Sequence, residues 1–245
     1  MSKLFIDRGN TALKWQVFED GVLRDTGVAN KNLPLGEALG QLSGLNYSAI
    51  FVSSVGEDDF CTNLRRWAAD QGHASLVFFK SVAQACGVTN AYTEPSQLGV
   101  DRWLAMIAAH NKYPGMLCVV DSGTALTMDF ISNEGLHLGG FIVPGAELMK
   151  SSLLHNTQKI TLQVTQPSGQ LGKNTTAAVS LGIQQMLKAF VLQQLAEMEI
   201  KHQQKITLIM TGGHAEELAK DLSIAGWIEN DLVFQGMRLL SEQSA

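Results

Sequence analysis

The chain has 245 residues, 45% of them hydrophobic and 17% charged. This excludes a disordered polypeptide and fits one large domain or two small ones. Lys and Arg total 18 against 23 Asp and Glu, a net charge of −5, the wrong sign for a general nucleic-acid binder.

Leu4-Phe5-Ile6 is a short apolar run that ends at Asp7-Arg8-Gly9-Asn10-Thr11, after which Leu13, Trp15 and Val17 alternate. The pattern predicts strand, tight turn, strand. Ala49 to Val55 and Leu76 to Phe79 read as further strands. Asp59 to Gln71 between them carries Phe60, Leu64 and Trp67 at helical spacing. Pro95 to Gly99 is a loop. Trp103, Met106, Ile107 and His110 then recur at helical spacing, so a helix is expected from about Arg102 with Asp101 as its N-cap. Pro114-Gly115 breaks the chain.

Met116 to Val120 is apolar and ends at Asp121-Ser122-Gly123-Thr124, with Leu126, Met128 and Phe130 alternating after it. Gly139-Gly140 and Pro144-Gly145 punctuate the next stretch, and a helix is expected from about Ala146. Thr176 to Glu199 reads as a long helix. Ile206 to Met210 reads as a strand running into Thr211-Gly212-Gly213. Glu216 to Leu222 reads as a helix, and a short one is expected from Gly236 onward.

The most informative feature is an internal repeat. Residues 4–13 read LFIDRGNTAL and residues 117–126 read LCVVDSGTAL. Each is an apolar strand, then Asp-x-Gly, then Thr-Ala-Leu. The repeat predicts an α/β chain of two related halves facing a cleft, divided near Tyr113 to Gly115.

Such a turn can bind phosphate. Gly9 allows the positive φ a tight turn needs and lets a phosphate approach the backbone, and successive N–H groups form an anion-binding concavity. Asn10 and Thr11 add donors, and Lys14 can place a charge on the same phosphate. Asp7, at the strand end, can hold a hydrated Mg²⁺ that takes its other ligands from phosphate and water. One such turn is equally an ordinary hairpin turn with a capping Asp. The second copy favours phosphate binding, because two facing turns make a nucleotide clamp. Thr211-Gly212-Gly213 suits an adenosine site in that company.

Asp101 reads either as a helix cap or as a general base for a substrate hydroxyl attacking a γ-phosphate. Arg102 reads either as a solvated first-turn charge or as a bidentate partner of a substrate carboxylate. The histidines show no ligand spacing to one another. Cys61, Cys86 and Cys118 are widely spaced, form no CxxC motif and read as free thiols of a reducing compartment. MSKLFIDRGN lacks the apolar region of a signal peptide, and no apolar run approaches the roughly 20 residues of a membrane span. A soluble cytoplasmic protein without membrane or nucleic-acid partners is expected.

DRGNTALKW, PSQLGVDR, DSGTALT, GGFIVPG, GKNTTAAVSLGI and TGG occur in this order over nearly the whole chain. Together they resemble the type III pantothenate kinases, members of the acetate and sugar kinase, heat-shock chaperone and actin superfamily. The resemblance implies two actin-like (ribonuclease H-like) domains, residues 1–114 and 115–245, related by internal duplication with a cleft between them. It implies ATP-dependent phosphorylation of pantothenate to 4′-phosphopantothenate, the first step of coenzyme A synthesis. ATP would be held by Asp7, Arg8, Gly9, Asn10, Thr11, Ala12, Leu13 and Lys14, with Thr124 as a further contact. Asp121 matches the residue that holds K⁺ or NH₄⁺, and Mg²⁺ accompanies the nucleotide. Asp101 matches the proton acceptor. Tyr92, Gly99, Val100, Asp101, Arg102 and Thr175 match the pantothenate pocket. The resemblance also implies a homodimer. Arg8 departs from the smaller or apolar residue usual at its position. Another small-molecule kinase of the superfamily and a non-enzymatic accessory regulator are the alternatives. A dead kinase should have lost Asp101 or Asp121, and both are present.

Overall fold

The N-terminal hairpin is present in the computed structural model, which describes residues 2–54, 59–72, 75–156 and 171–243. Strand β1 (Ser2–Arg8) runs antiparallel to β2 (Ala12–Glu19), and β3 (Val22–Asn30) extends the sheet along β2. No apolar alternation announces β3, because most of its side chains are exposed. Backbone pairing, a bond donated by the Thr26 hydroxyl to the Trp15 carbonyl at 3.1 Å and a packing device hold it. A Cβ on Gly27 would lie 2.0 Å from Trp15 Cζ2, so the indole crosses the space a side chain would fill.

A short helix α1 (Leu35–Ala38) leads to β4 (Ala49–Ser54), parallel to β1. Helix α2 (Asp59–Asp70) and strand β5 (Leu76–Phe78), parallel to β4, complete a sheet of order β3-β2-β1-β4-β5. Leu4, Ile6, Trp15 and Val52 bury one face of that sheet with Leu64 and Trp67 of α2. Phe5, Phe18 and Phe51 bury the other face.

Strands β6 (Gln84–Ala85) and β7 (Val88–Thr89) form a small hairpin. Its turn residues Cys86 and Gly87 both have positive φ, 47° and 82°, the backbone of a two-residue type I′ turn. A 3₁₀ turn over Pro95–Gln97 then precedes helix α3 (Val100–Lys112). The helix starts before the expected Arg102, so Asp101 lies inside its first turn and is not the N-cap. Nine of its 13 residues are buried, which makes Trp103 and Met106 core residues.

The second sheet repeats the first. Strands β8 (Met116–Ser122), β9 (Ala125–Ile131) and β10 (His137–Pro144) are antiparallel. Helices α4 (Ala146–Asn156) and α5 (Thr175–His202) follow. Strand β11 (Ile206–Thr211) pairs parallel to β8, and after α6 (Ala215–Leu222) strand β12 (Trp227–Ile228) pairs parallel to β11. The order β10-β9-β8-β11-β12 matches the first sheet strand for strand. Cys118, Val120, Met128 and Phe130 pack on Ile183, Leu187 and Val191 of α5 and on Leu218 of α6. Asp129 and His137, both sealed from solvent, meet with Oδ1 and Nε2 3.0 Å apart.

Helix α7 (Leu232–Gln243) corrects the expected division at residue 114. One compact unit is Met1–Lys112 with Asp231–Ala245, and the other is Tyr113–Asn230. The expectation of 115–245 as one domain therefore fails at its C-terminal end. Gly236, read as the start of a helix, lies inside α7. A Cβ there would stand 2.1 Å from the Leu104 carbonyl oxygen of α3, so the glycine lets the two helices touch backbone to backbone. Among the described residues no helix is long and apolar enough to cross a membrane.

Candidate active site

The first turn closes between β1 and β2. Gly9 N–H donates to the Ala12 carbonyl at 3.0 Å, and the turn closes without the positive φ expected of this glycine. Asp7 stands opposite Lys14 in the antiparallel register, so carboxylate and ammonium share one face of the sheet. Alternation sends Arg8 to the opposite face. There its guanidinium lies 4.6 Å from the centroid of Phe60, a ring packed against the Leu4 and Ile6 cluster. Asn10 and Thr11 are exposed at the tip. Leu13 is buried in the sheet.

The second turn repeats the device. Gly123 N–H donates to the Ala125 carbonyl, also at 3.0 Å. In each copy the glycine of Asp-x-Gly bonds to the alanine of Thr-Ala-Leu, and the first turn is one residue longer at Asn10. Two other glycine motifs converge on this turn. Gly145 N–H donates to the Thr124 carbonyl at 2.9 Å, and a Cβ on Gly145 would lie 2.3 Å from the Gly123 oxygen. Past β11, a Cβ on Gly212 would lie 2.2 Å from Asp121 Oδ1, and His214 N–H donates to the Ser122 carbonyl at 2.9 Å. Gly145 of GGFIVPG and Gly212 of TGG are thus packing requirements of the DSGT turn. Beside it opens a cavity of about 480 Å³ lined by Ser122, Lys150, Ser180, Gln184, His214 and Glu217.

The loop before α3 brings four of the expected residues together. Arg102 is only 6% exposed, which overturns the solvated-charge reading. Its Nη1 donates to the Tyr92 hydroxyl at 3.1 Å, and the guanidinium lies 5.9 Å from the Tyr92 ring centroid. Asp101 Oδ1 accepts from Arg102 N–H at 2.8 Å. A Cβ on Gly99 would stand 2.6 Å from that same Oδ1, so glycine leaves the carboxylate its position. Val100 is buried in the aromatic cluster and anchors the helix start.

Two residues outside the expected set, Asn90 and Ser81, hold this loop. Asn90 Oδ1 accepts from Tyr92 N–H at 3.0 Å, and its Nδ2 donates to the Pro95 carbonyl at 3.2 Å. Ser81 Oγ donates to the Leu98 carbonyl at 2.8 Å. An Asn two residues before Tyr92 is the local signal of an Asx turn. Ser81 left no such signal. A second cavity, about 770 Å³ in volume, opens beside Gly99 and is lined by Ser54, Arg65, Lys80 and Ser96. Neither Tyr92 nor Arg102 lines it.

Thr175, in the second unit, is the exposed first residue of α5. The helix starts there because Asn174 caps it, its Oδ1 accepting from Ala177 N–H at 2.8 Å. A Cβ on Gly172 would lie 2.2 Å from Ala178 N, so the GKNT glycine lets the chain cross the first turn of α5.

The profile of the family described as type III pantothenate kinase matches residues 3–197. The chain belongs to this family. A type III pantothenate kinase of Hahella chejuensis is 36% identical over 248 residues, covering 98% of each chain. Among solved structures, one titled a conserved Baf family transcriptional activator from Campylobacter jejuni superposes with a TM-score of 0.62 at 26% identity, covering 98% of each chain. Component A of (R)-2-hydroxyglutaryl-CoA dehydratase from Acidaminococcus fermentans superposes with a TM-score of 0.51 at 13% identity over the full length of both chains, a likeness of fold alone. The duplicated actin-like α/β fold implied by the sequence is the one observed. For the type III pantothenate kinases, the motifs DRGNT, LGVDR, DSGT and TGG now have a physical reading in this chain. Two are hairpin turns of one design, one is a carboxylate seated on a glycine, and one supplies Gly212, packed on the second turn.

Proposed function

We propose that the chain transfers the γ-phosphoryl group of ATP to the primary hydroxyl of pantothenate, giving 4′-phosphopantothenate and ADP. The observation that carries this reading is the LGVDR loop, where a carboxylate and a buried, tyrosine-bound guanidinium stand on consecutive residues at the start of α3. Pantothenate offers a hydroxyl to the first and a carboxylate to the second. Asp101 accepts the hydroxyl proton as the oxygen bonds to phosphorus, and the bond to the ADP oxygen breaks in line. Arg102, steadied by Tyr92, pairs with the pantothenate carboxylate beside Gly99 and Val100, and Thr175 is a further pantothenate contact. Positioning and charge neutralisation supply most of the rate.

The Asp7–Lys14 turn and Thr124 hold the triphosphate, with backbone N–H groups and the Lys14 ammonium as donors. The cavity beside His214 takes the adenosine. Among the described residues no group of three or more His, Cys, Asp or Glu could hold a metal ion. A lone carboxylate suits Mg²⁺ that arrives on the nucleotide, since such an ion keeps water and phosphate as its other ligands. Asp7 would hold that ion, which would supply positive charge beside the phosphates. Asp121 Oδ1 and the Ser122 carbonyl both stand against Gly212. This all-oxygen donor set fits K⁺ or NH₄⁺, which would add a positive charge beside the phosphates.

The chain forms a homodimer in this reading, which would cover exposed apolar side chains such as Leu148 and Leu153 of α4. A cytoplasmic location accords with the three free cysteines. The test is incubation of the purified chain with Mg-ATP, KCl and pantothenate. Phosphopantothenate and ADP should appear in equal amounts by mass spectrometry. ADP without phosphopantothenate, or neither, would reject pantothenate as the acceptor.

A further inference from the structure

Asp101 and Arg102 occupy one end of α3. Near the other end, roughly 15 Å along the helix axis, lies a cavity of about 700 Å³. The start of β1, the β2–β3 turn, the end of α3 and α7 enclose it. Nothing in the proposed phosphoryl transfer uses it.

Its floor is aromatic. Phe5 and Phe18 both line it and meet edge to face with centroids 5.7 Å apart. Its wall is cationic. The Arg238 guanidinium lies 4.7 Å from the Phe18 centroid, Lys3 Nζ lies 5.7 Å from the Phe51 centroid, and Lys112 lines the rim, exposed. Asp20 and Glu242 also line the cavity. Three cations therefore meet two carboxylates there, in a chain whose net charge is −5. Arg238 Nε is shut off from solvent and meets no hydrogen-bond acceptor. That donor of the guanidinium is therefore not spent on a protein partner.

We propose that this cavity is a binding site for a small amphipathic anion. The ligand has a flat apolar body that lies on Phe5 and Phe18, and one singly charged oxygen-bearing head that accepts from Arg238 and pairs with Lys112. The aromatic floor selects the body, since stacked rings and apolar contact favour a planar group. The guanidinium selects the head, since charge-assisted bonds to oxyanions are its strongest. Asp20 and Glu242 select against a polyanion such as a nucleoside triphosphate, whose further charges they would repel.

The probes are 8-anilinonaphthalene-1-sulfonate and its uncharged counterpart N-phenyl-1-naphthylamine, titrated by fluorescence into the full chain. The parent should bind the sulfonate saturably and more tightly than the neutral probe. Arg238→Met keeps the packing on Phe18 and should weaken the sulfonate by about tenfold, as loss of a charge-assisted bond predicts, while neutral-probe affinity stays unchanged. Lys112→Gln, at an exposed position that does not endanger folding, should weaken the sulfonate several-fold. No saturable binding by the parent would overturn the proposal. So would equal sulfonate affinity in parent and Lys112→Gln, or a parallel loss of both probes in Arg238→Met.

Discussion

A side chain on Gly212 cannot coexist with Asp121. The first carbon would stand 2.2 Å from Asp121 Oδ1 and 2.6 Å from the Ser122 carbonyl oxygen, and Gly212 has φ +93°. Gly212→Ala must therefore displace the Asp121 carboxylate as well as strain the backbone, on the order of 1–3 kcal/mol for the strain. Thermal unfolding should shift down by several degrees. The KM for ATP should rise about tenfold or more. A variant with parental KM for ATP would separate the Asp121 turn from nucleotide binding.

Arg102 and Tyr92 act as a pair. Tyr92→Phe removes the acceptor of the 3.1 Å bond but leaves the ring beneath the guanidinium. It should raise the KM for pantothenate on the order of tenfold, the scale of a hydrogen bond to a charged group, with kcat little changed. Arg102→Met should raise it further. In the double variant the two effects should fall short of their sum, because Tyr92 acts through Arg102. Additive losses in kinetic assays would contradict that coupling.

Much of this was legible in the residues. The Asp-x-Gly and Thr-Ala-Leu repeat forecast two hairpins of one design, and the equal Gly9 and Gly123 bonds bear it out. What escaped had no local signature. Strand β3 is nearly all exposed, and its specific contacts, the Gly27 slot for Trp15 and the Thr26 hydroxyl bond to the Trp15 carbonyl, form only after the strands pair. Gly236 reads as a helix boundary until α7 is seen to lie against the Leu104 carbonyl. The burial of Arg102, left open between a solvated charge and a carboxylate partner, had no local sign because Tyr92 lies ten residues back, fixed by Asn90. Each miss is a tertiary contact overriding a local preference.

The buried Asp129–His137 pair lies in the second sheet, its side chains 2% and 0% exposed. Asp129→Ala would leave His137 without this partner in a closed site. A loss on the order of 1–3 kcal/mol is expected, read as a lower urea midpoint with unchanged slope. A midpoint equal to the parent's would show that the pair adds nothing to stability.

Tyr113 links stability to alkaline pH. Burial, and then the hydrogen bond its hydroxyl donates to Glu229, push its pKa from 10.0 up to about 12. In that window the folded chain keeps a proton that the unfolded chain has released. The contribution is complete below the unfolded value and is lost as pH rises through the folded one. Tyr47 is also raised to about 12, first by burial, so it contributes a similar slope. Unfolding free energy should fall between pH 10 and 12, and Tyr113→Phe should make that fall shallower. Identical pH profiles for parent and variant would contradict the assignment.

The most direct test of Asp101 as proton acceptor is single-turnover formation of phosphopantothenate by parent and Asp101→Asn, with nucleotide affinity measured alongside. The variant should be slower by about 10²–10⁴-fold, the scale of general base catalysis, while its affinity for nucleotide stays near the parent's. Turnover at close to the parental rate would contradict the role given to this carboxylate.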